Sequence, residues 1–342
     1  MNVAVLIGRF QPFHLGHASL LAKALAIAPK VILVLGSSFH ARNAKNPFSW
    51  QERVAMIQAS LTEAERARVH FVPVRDYYDD QRWSAAVQKK VEQAAGVGAV
   101  ITLVGYEKDA SSYYLNHFPQ WQMETVAMTS AIDATDIRRA YFESENMDVT
   151  LSVLAPSIPL PVRQYLRTWS LLPDYATLVE EHRFIAKYKT AWAKAPYAPM
   201  FVTVDAVVRC AGHVLLIQRG GQPGKGQWAV PGGFLEQQER LLQSAIRELA
   251  EETQLGVLAS SLEGALVEVK VFDHPGRSQR GRTITHAHYF DLALDSLPVA
   301  EAADDAALLR WVPIADLAHM EADFYEDHFH ILDQFLHLSS DD

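Results

Sequence analysis

The sequence predicts an α/β protein in two parts, a parallel sheet covered by helices on both faces followed by an α+β half. Three observations lead there. Up to about residue 145, short Val/Ile/Leu runs alternate with amphipathic stretches, the pattern of strands buried on both faces. Pro156, Pro159 and Pro161 then break that rhythm. From Met200 the periodicity changes to paired strands around one strong helix.

In the first part, strands are expected at Val3–Ile7, Val31–Leu35, Val69–Val74, Ala99–Val104 and Thr125–Met128. Helices are expected at Ala18–Ala28, Gln51–Leu61, Ser84–Ala95 and Ala134–Glu143, and Ser49 with Glu52 forms a capping box ahead of the second. Two more, Val162–Trp169 and Tyr175–Trp192, form a helical connector. In the second part, Phe201–Arg209 and His213–Arg219 read as an antiparallel pair turning at Gly212. A helix at Glu239–Gln254 follows a Gly-rich loop. Strands near Ala265–Phe272, Thr283–Leu294 and Leu308–Val312 lead to a terminal helix over Asp323–Leu338. The expected domains are 1–155, a connector at 156–198, and 199–342.

Composition narrows the function. The 342 residues are 49% hydrophobic and 21% charged, ordinary for two globular cores. A formal net charge of −9 argues against a protein that coats nucleic acid. The single cysteine, Cys210, excludes an internal disulfide and fits a reducing, cytoplasmic setting. Met1–Arg9 reads as a buried strand and not a signal peptide, and no apolar run is long enough for a membrane span.

The first expected strand runs into Gly8-Arg9-Phe10-Gln11-Pro12-Phe13-His14-Leu15-Gly16-His17 and then a helix. A helix N-terminus beyond a parallel strand offers backbone N–H groups and a positive dipole to an anion. Arg9, His14 and His17 add charge and donors, and Gly16 permits close approach, which together suits a triphosphate. His14 and His17 alone would also read as a metal pair or as surface residues; their position at the strand end favours the anion site. The segment resembles the nucleotidylyltransferase motif Gly-x-Phe-x-Pro-x-His-x-Gly-His at Gly8, Phe10, Pro12, His14, Gly16 and His17. A second element of that family is matched at Thr135, Ile137 and Arg138 of Ile132-Asp133-Ala134-Thr135-Asp136-Ile137-Arg138, with Asp133 where the family has Ser.

With Arg42, Gly105, Lys108, Asp109 and Trp83 between these elements, the layout is similar to adenylyltransferases acting on nicotinamide mononucleotide (NMN). That resemblance implies ATP, NMN and NAD as ligands, with His14, His17 and Arg138 in the catalytic cradle. Gly8, Arg9, Phe10, Gly16, Arg42, Gly105, Lys108, Asp109 and Thr135 would contact substrate. Trp83 would stack on the nicotinamide ring, a contact favourable for a cationic pyridinium; a core anchor at a helix start is the alternative reading.

On the second strong helix Glu248, Glu251 and Glu252 share one face, where they repel one another unless a cation joins them. Carboxylate and phosphate oxygens suit Mg²⁺ or Mn²⁺. A solvated acidic helix is the plain alternative. The spacing Gly233, five residues, Glu239, seven residues, Arg247-Glu248-Leu249-Ala250-Glu251-Glu252 resembles the Nudix box. Gln254 stands where that family has Gly, so an altered helix C-cap is expected. The resemblance implies Glu248, Glu251 and Glu252 as metal ligands, the Gly233 carbonyl beside them, and Glu239 with Arg247 as support.

Downstream, Arg277, Arg280 and Arg282 form either a phosphate or ribose clamp or an exposed basic loop. That stretch is similar to Nudix domains acting on ADP-ribose. The whole chain thus reads as a Rossmann-like parallel-sheet nucleotidylyltransferase domain followed by an α+β Nudix domain. The resemblance implies NAD synthesis at one site and cleavage of ADP-ribose to AMP and ribose 5-phosphate at the other. Another acceptor in the first half, and in the second a different nucleoside diphosphate as substrate or ADP-ribose sensing without hydrolysis, are the alternatives. A homo-oligomer stays open; no nucleic acid and no membrane are expected as partners.

Overall fold

The computed structural model describes residues 1–106, 117–126 and 133–339. The chain divides into two compact units, Met1–His182 and Arg183–Asp342. No helix among the described residues is long and apolar enough to cross a membrane.

The first unit holds β1 (Asn2–Gly8), α1 (Leu15–Ile27), β2 (Lys30–Leu35), α2 (Trp50–Ala59), α3 (Glu63–Arg66), β3 (Val69–Pro73), α4 (Asp80–Ala95), β4 (Val100–Gly105), β5 (Gln122–Thr125), α5 (Ala134–Phe142), α6 (Met147–Val153) and α7 (Leu160–Trp169). The unit boundary falls inside α8 (Pro173–Ala191). All five strands are parallel in the order β3-β2-β1-β4-β5, so the expected α/β class holds. The order reverses between β1 and β4, and crevices beyond such a switch point bind ligands. Alternate strand residues feed two cores. Ala4, Leu6, Leu33 and Leu35 meet Leu21, Ile57, Ile137 and Trp169 on one face; Val3, Val5, Ile32 and Val34 meet Val87 and Val91 of α4 on the other.

The fifth strand lies upstream of its expected position, at Gln122–Thr125, and residues 127–128 fall outside the described region. It is an exposed edge strand, so apolarity does not mark it. The capping box at Ser49 and Glu52 forms as expected.

The second unit holds β6 (Met200–Cys210), β7 (His213–Arg219), β8 (Trp228–Ala229), β9 (Gly232–Phe234), α9 (Leu241–Thr253), α10 (Ala259–Ala265), β10 (Leu266–Phe272), β11 (Arg282–Leu292), β12 (Ala306–Pro313), α11 (Ile314–Leu317) and α12 (His328–Leu336). The mixed sheet runs β10-β11-β6-β7-β12, with β8 on β7 and β9 on β6. β6 pairs parallel with β11 along its length and antiparallel with β9 over Thr203–Asp205. The β6–β7 turn carries Ala211 and Gly212 at φ 44 and 75, the primed hairpin geometry. α9 and α10 cover one face through Leu249 and Leu262, and α12 covers the other through Phe329, Ile331 and Leu332. α12 starts later than expected. Residues Glu321–Asp323 form a separate 3₁₀ turn, and the Tyr325 N–H is tied to the Trp228 carbonyl at 2.9 Å.

Candidate active sites

In the first unit the loops after β1, β2 and β3 meet. Four non-glycine residues there have positive φ: Phe10, Ser37, Phe39 and Tyr78 at 52, 48, 70 and 51. Such backbone is costly for L-residues and survives only where surrounding contacts hold it. Arg53 supplies many of those contacts. Fully buried, it donates to the carbonyls of Arg9 at 2.6 Å, Gly36 at 2.7 Å and Ser37 at 3.3 Å. It also reaches Ser38 Oγ at 3.1 Å and the Ser49 carbonyl at 3.3 Å. Asp76, after β3, accepts from the Ser37 N–H and hydroxyl at 3.2 and 2.6 Å and lies 3.3 Å from His40. Burial opposes its ionisation, but these donors hold its carboxyl well below the usual range.

His14 is the N-cap of α1, and its Nδ1 accepts from the Gly16 N–H at 3.1 Å. Gly16 is required by this close approach, because a Cβ there would meet the His14 ring at 2.9 Å. Two of the helix N–H groups expected to face an anion are therefore already paired: Gly16 with His14, and Leu15 with the Ser157 carbonyl at 2.8 Å. The donors at this strand end are chiefly side chains. The His14 and His17 rings lie 3.8 Å apart, and Phe10 packs edge-on to His17 at 4.8 Å. Burial, then His14 and Arg9, push the His17 pKa well down, so its imidazole is neutral. Its inaccessible Nδ1 has no hydrogen-bond partner among the described residues.

Arg138, on α5, donates to the Gln11 carbonyl at 2.7 Å and to Thr135 Oγ1 at 3.3 Å. Asp133, where the family has Ser, caps α5 by accepting from the Thr135 and Asp136 N–H groups at 2.7 and 3.1 Å. Tyr106, just past Gly105 and β4, donates to the Gly16 carbonyl at 2.9 Å and closes the switch point. Arg9 is exposed, and its charge disfavours protonation of His17, Arg53 and Arg138 alike. Gly8, Arg9, Phe10, His14, Gly16, His17, Thr135 and Arg138 are thus gathered at one strand end, with Gly105 one strand away. Arg42 is engaged internally by Glu52, the Pro47 carbonyl and Asp174, and lies over Trp169. Trp83 packs against the α4-side core and meets Phe118 edge-on at 6.1 Å. Lys108 and Asp109 lie outside the described residues.

In the second unit, β9 delivers Gly232 and Gly233 to α9. A Cβ on Gly233 would lie 2.4 Å from the Glu248 carboxylate, and one on Gly232 would lie 2.3 Å from the Val204 carbonyl. The Gly232 N–H donates to Glu252 Oε2 at 2.9 Å. Arg247 is the hub of the acidic face, reaching Glu239 at 2.7 and 3.0 Å, Glu248 at 2.9 Å and Glu251 at 2.8 Å. Burial, with Asp305 and Glu248 adding repulsion, pushes the Glu252 pKa up to about 8; burial also raises that of Glu248. Among the described residues no three His, Cys, Asp or Glu side chains converge to hold a metal ion. The donor chemistry nevertheless fits one, since hard oxygens repel each other on a half-buried face and a divalent cation removes that repulsion. Gln254 takes the left-handed conformation at φ 41 and ends α9, the altered cap the sequence implied.

The arginine-rich loop is neither wholly exposed nor an open clamp. Arg277 is buried in a two-bond pair with Asp327 at 2.8 and 2.9 Å. Arg280 lies over Phe234 at 5.1 Å, its Nε buried without a partner among the described residues. Arg282 donates to the Asp273 carbonyl.

Residues 5–140 match the cytidylyltransferase-like model and residues 199–335 the NUDIX domain model. A nicotinamide/nicotinic acid mononucleotide adenylyltransferase of Acinetobacter baylyi is 37% identical over 180 residues, 52% of this chain and 92% of that protein. An ADP-ribose pyrophosphatase of Methanocaldococcus jannaschii is 30% identical over 149 residues, 44% of this chain and 79% of that protein. A bifunctional NMN adenylyltransferase/ADP-ribose pyrophosphatase from Francisella tularensis, solved with AMP and a manganese ion, superposes at TM-score 0.88 with 36% identity over 98% of both chains. The chain belongs to that bifunctional family.

Within this family fold, the motif reading missed three groups with a physical claim on the sites. Arg53 sits on the apolar stripe of α2 with Met56 and Ile57, and a charge on a buried stripe is the signal that was available. Asp305 acts electrostatically on both Glu248 and Glu252 from a turn far along the chain, which no local spacing marks. Asp327, the partner of Arg277, is equally remote in sequence.

Proposed function

We propose that the first unit transfers the adenylyl group of ATP to NMN, giving NAD and pyrophosphate, and that the second hydrolyses ADP-ribose to AMP and ribose 5-phosphate. The observation that carries this reading is the near full-length likeness to the Francisella enzyme, in which both activities are named in one chain.

In the first reaction the NMN phosphate is already ionised and attacks the α-phosphorus of ATP without a general base. Alignment and charge stabilisation do the work. Arg9 and Arg138 would bear on the triphosphate as fixed charges, His17 as a neutral imidazole and His14 as a further polar contact. Arg53 would hold the loops that carry Arg9 and Ser37. Gly8, Phe10, Gly16, Gly105 and Thr135 would shape the pocket. Trp83, half-buried against the α4-side core, would stack on the nicotinamide with the part of its ring the core leaves open.

In the second reaction Glu248, Glu251 and Glu252, with the Gly233 carbonyl, would hold Mg²⁺ or Mn²⁺. A bound divalent cation supplies an acidified water and screens the diphosphate. Arg247 orients Glu248 and Glu251, and the Gly232 N–H orients Glu252. Arg280 would be the member of the arginine loop that meets a phosphate, since Arg277 is paired with Asp327 and Arg282 with the Asp273 carbonyl. A cytoplasmic setting belongs to the same reading, because the lone cysteine is buried and the substrates are soluble nucleotides.

The test is a substrate panel on the full chain. ATP with NMN, nicotinic acid mononucleotide, FMN or pantetheine phosphate is followed by dinucleotide formation. ADP-ribose with Mg²⁺ is followed by AMP and ribose 5-phosphate. Absence of NAD formation from NMN overturns the first half. ADP-ribose turnover that survives Glu251→Gln with Glu252→Gln overturns the metal assignment.

A further inference from the structure

β10 is an edge strand of the second sheet, with one side unpaired among the described residues. Edges of this kind recruit other strands unless they are short, proline-bearing or charged. The other edges are protected in those ways. β5 has four residues, β3 ends at Pro73, and β12 ends at Pro313 and carries Arg310. β10 has seven residues and no proline, and it leaves Val267, Val269 and Val271 exposed at 60%, 42% and 54%. Three exposed valines in one strand are an unusual content for a surface.

Its charges are arranged for one particular partner. Glu268 and Lys270 flank Val269 and lie 3.6 Å apart. In an antiparallel pairing of two copies centred on Val269, each residue faces the one equally far from the centre. Val269 then faces Val269 and Glu268 faces Lys270, while Val267 sits at the ladder irregularity and Val271 lies beyond the charged pair. Both charge pairs are opposite in sign. A lone edge lysine would instead meet its own copy or a neutral residue. The ladder irregularity between Leu266 and Glu268 leaves Glu268–Phe272 regular, so the centre of the pairing lies in undistorted strand.

We propose that β10 joins two copies of this chain, pairing antiparallel with its own symmetry mate about a two-fold axis at Val269. Such an interface is isologous, and it extends the sheet continuously across the axis. The inference rests on strand geometry and charge, and stands whether or not either catalytic assignment holds.

Sedimentation and light scattering of the full chain, with charge-reversal variants, test it. The wild type is expected at twice the 38.2 kDa chain mass. Glu268→Lys and Lys270→Glu each place like charges opposite one another, so the mass is expected to halve. The double variant restores opposite pairs and the dimer. A second measurement fixes the axis. Paired residues in antiparallel strands have Cα atoms about 4.5–5.5 Å apart, within disulfide reach. Val269→Cys should therefore crosslink to a covalent dimer under mild oxidation, while Leu258→Cys, also exposed, should not. A monomeric wild type, single variants that remain dimeric, a double variant that stays monomeric, or equal crosslinking at both positions each overturns the proposal.

Discussion

Arg53 illustrates how much one side chain can decide. Its guanidinium satisfies carbonyls from the loops after β1 and β2 and from the α2 cap, among backbone that is partly left-handed. Removing it strands several buried acceptors, each costing about 1–3 kcal/mol. Arg53→Ala is expected to lower stability by about 3 kcal/mol or more and to cut NAD formation at least tenfold, with ADP-ribose hydrolysis unchanged. Arg53→Lys should recover part of the stability and little of the activity, since an ammonium cannot span the same acceptors. Chemical denaturation and the two assays, run side by side, check this.

Glu252 makes the second residue-scale case. With divalent cations chelated, the folded chain keeps its proton up to about pH 8, whereas the unfolded chain releases it near the usual value of 4.5. Between those values the folded state binds more protons, so this group's stabilisation is present at low pH and is lost as pH rises through about 8. Glu252→Gln removes that dependence. Its melting temperature in EDTA, compared with wild type, should gain progressively from pH 5 to 8; a constant difference across that range would show that Glu252 is not held protonated.

At the scale of elements, β9 and α9 form one device. Gly232 and Gly233 are neighbours, yet they exclude a side chain for different reasons. At Gly232 the obstacle is the Val204 backbone; at Gly233 it is the movable end of Glu248. Gly232→Ala is therefore expected to force β9 off β6 and destabilise the second unit. Gly233→Ala should fold normally and displace Glu248, lowering ADP-ribose hydrolysis by about a hundredfold or more, on the scale of losing one key catalytic contact. Thermal melts and initial rates separate the two. Arg247 ties the same device together, and the left-handed Gln254 ends the helix where a glycine would do so at lower cost.

For the molecule as a whole, the helices expected as a connector contribute to the first core. Val162, Leu166, Trp169 and Leu178 are buried there, and Trp169 packs at 4.9 Å against Phe48. Burying each contributes about 1.5–3 kcal/mol. A fragment of residues 1–182 is expected to fold cooperatively and make NAD, while one of residues 1–155 should be markedly less stable or aggregate. Circular dichroism melts of the two fragments decide between them.

Much was legible without coordinates. The strand–helix rhythm of residues 1–145 wrote out the parallel sheet, because strands buried on both faces must be apolar throughout. The His14–His17 segment and the Glu239–Glu252 helix were readable because their residues are close in sequence, so spacing is geometry. The edge strand β5 was misplaced because an exposed strand needs no apolar run. The tertiary structure alone decided which side chains are already engaged: Arg42 with Glu52, Arg277 with Asp327. It also brought Arg53 beneath the first site and Asp305 beside the second. Those pairings join residues up to tens of positions apart, and distance along the chain carries no record of contact across the fold.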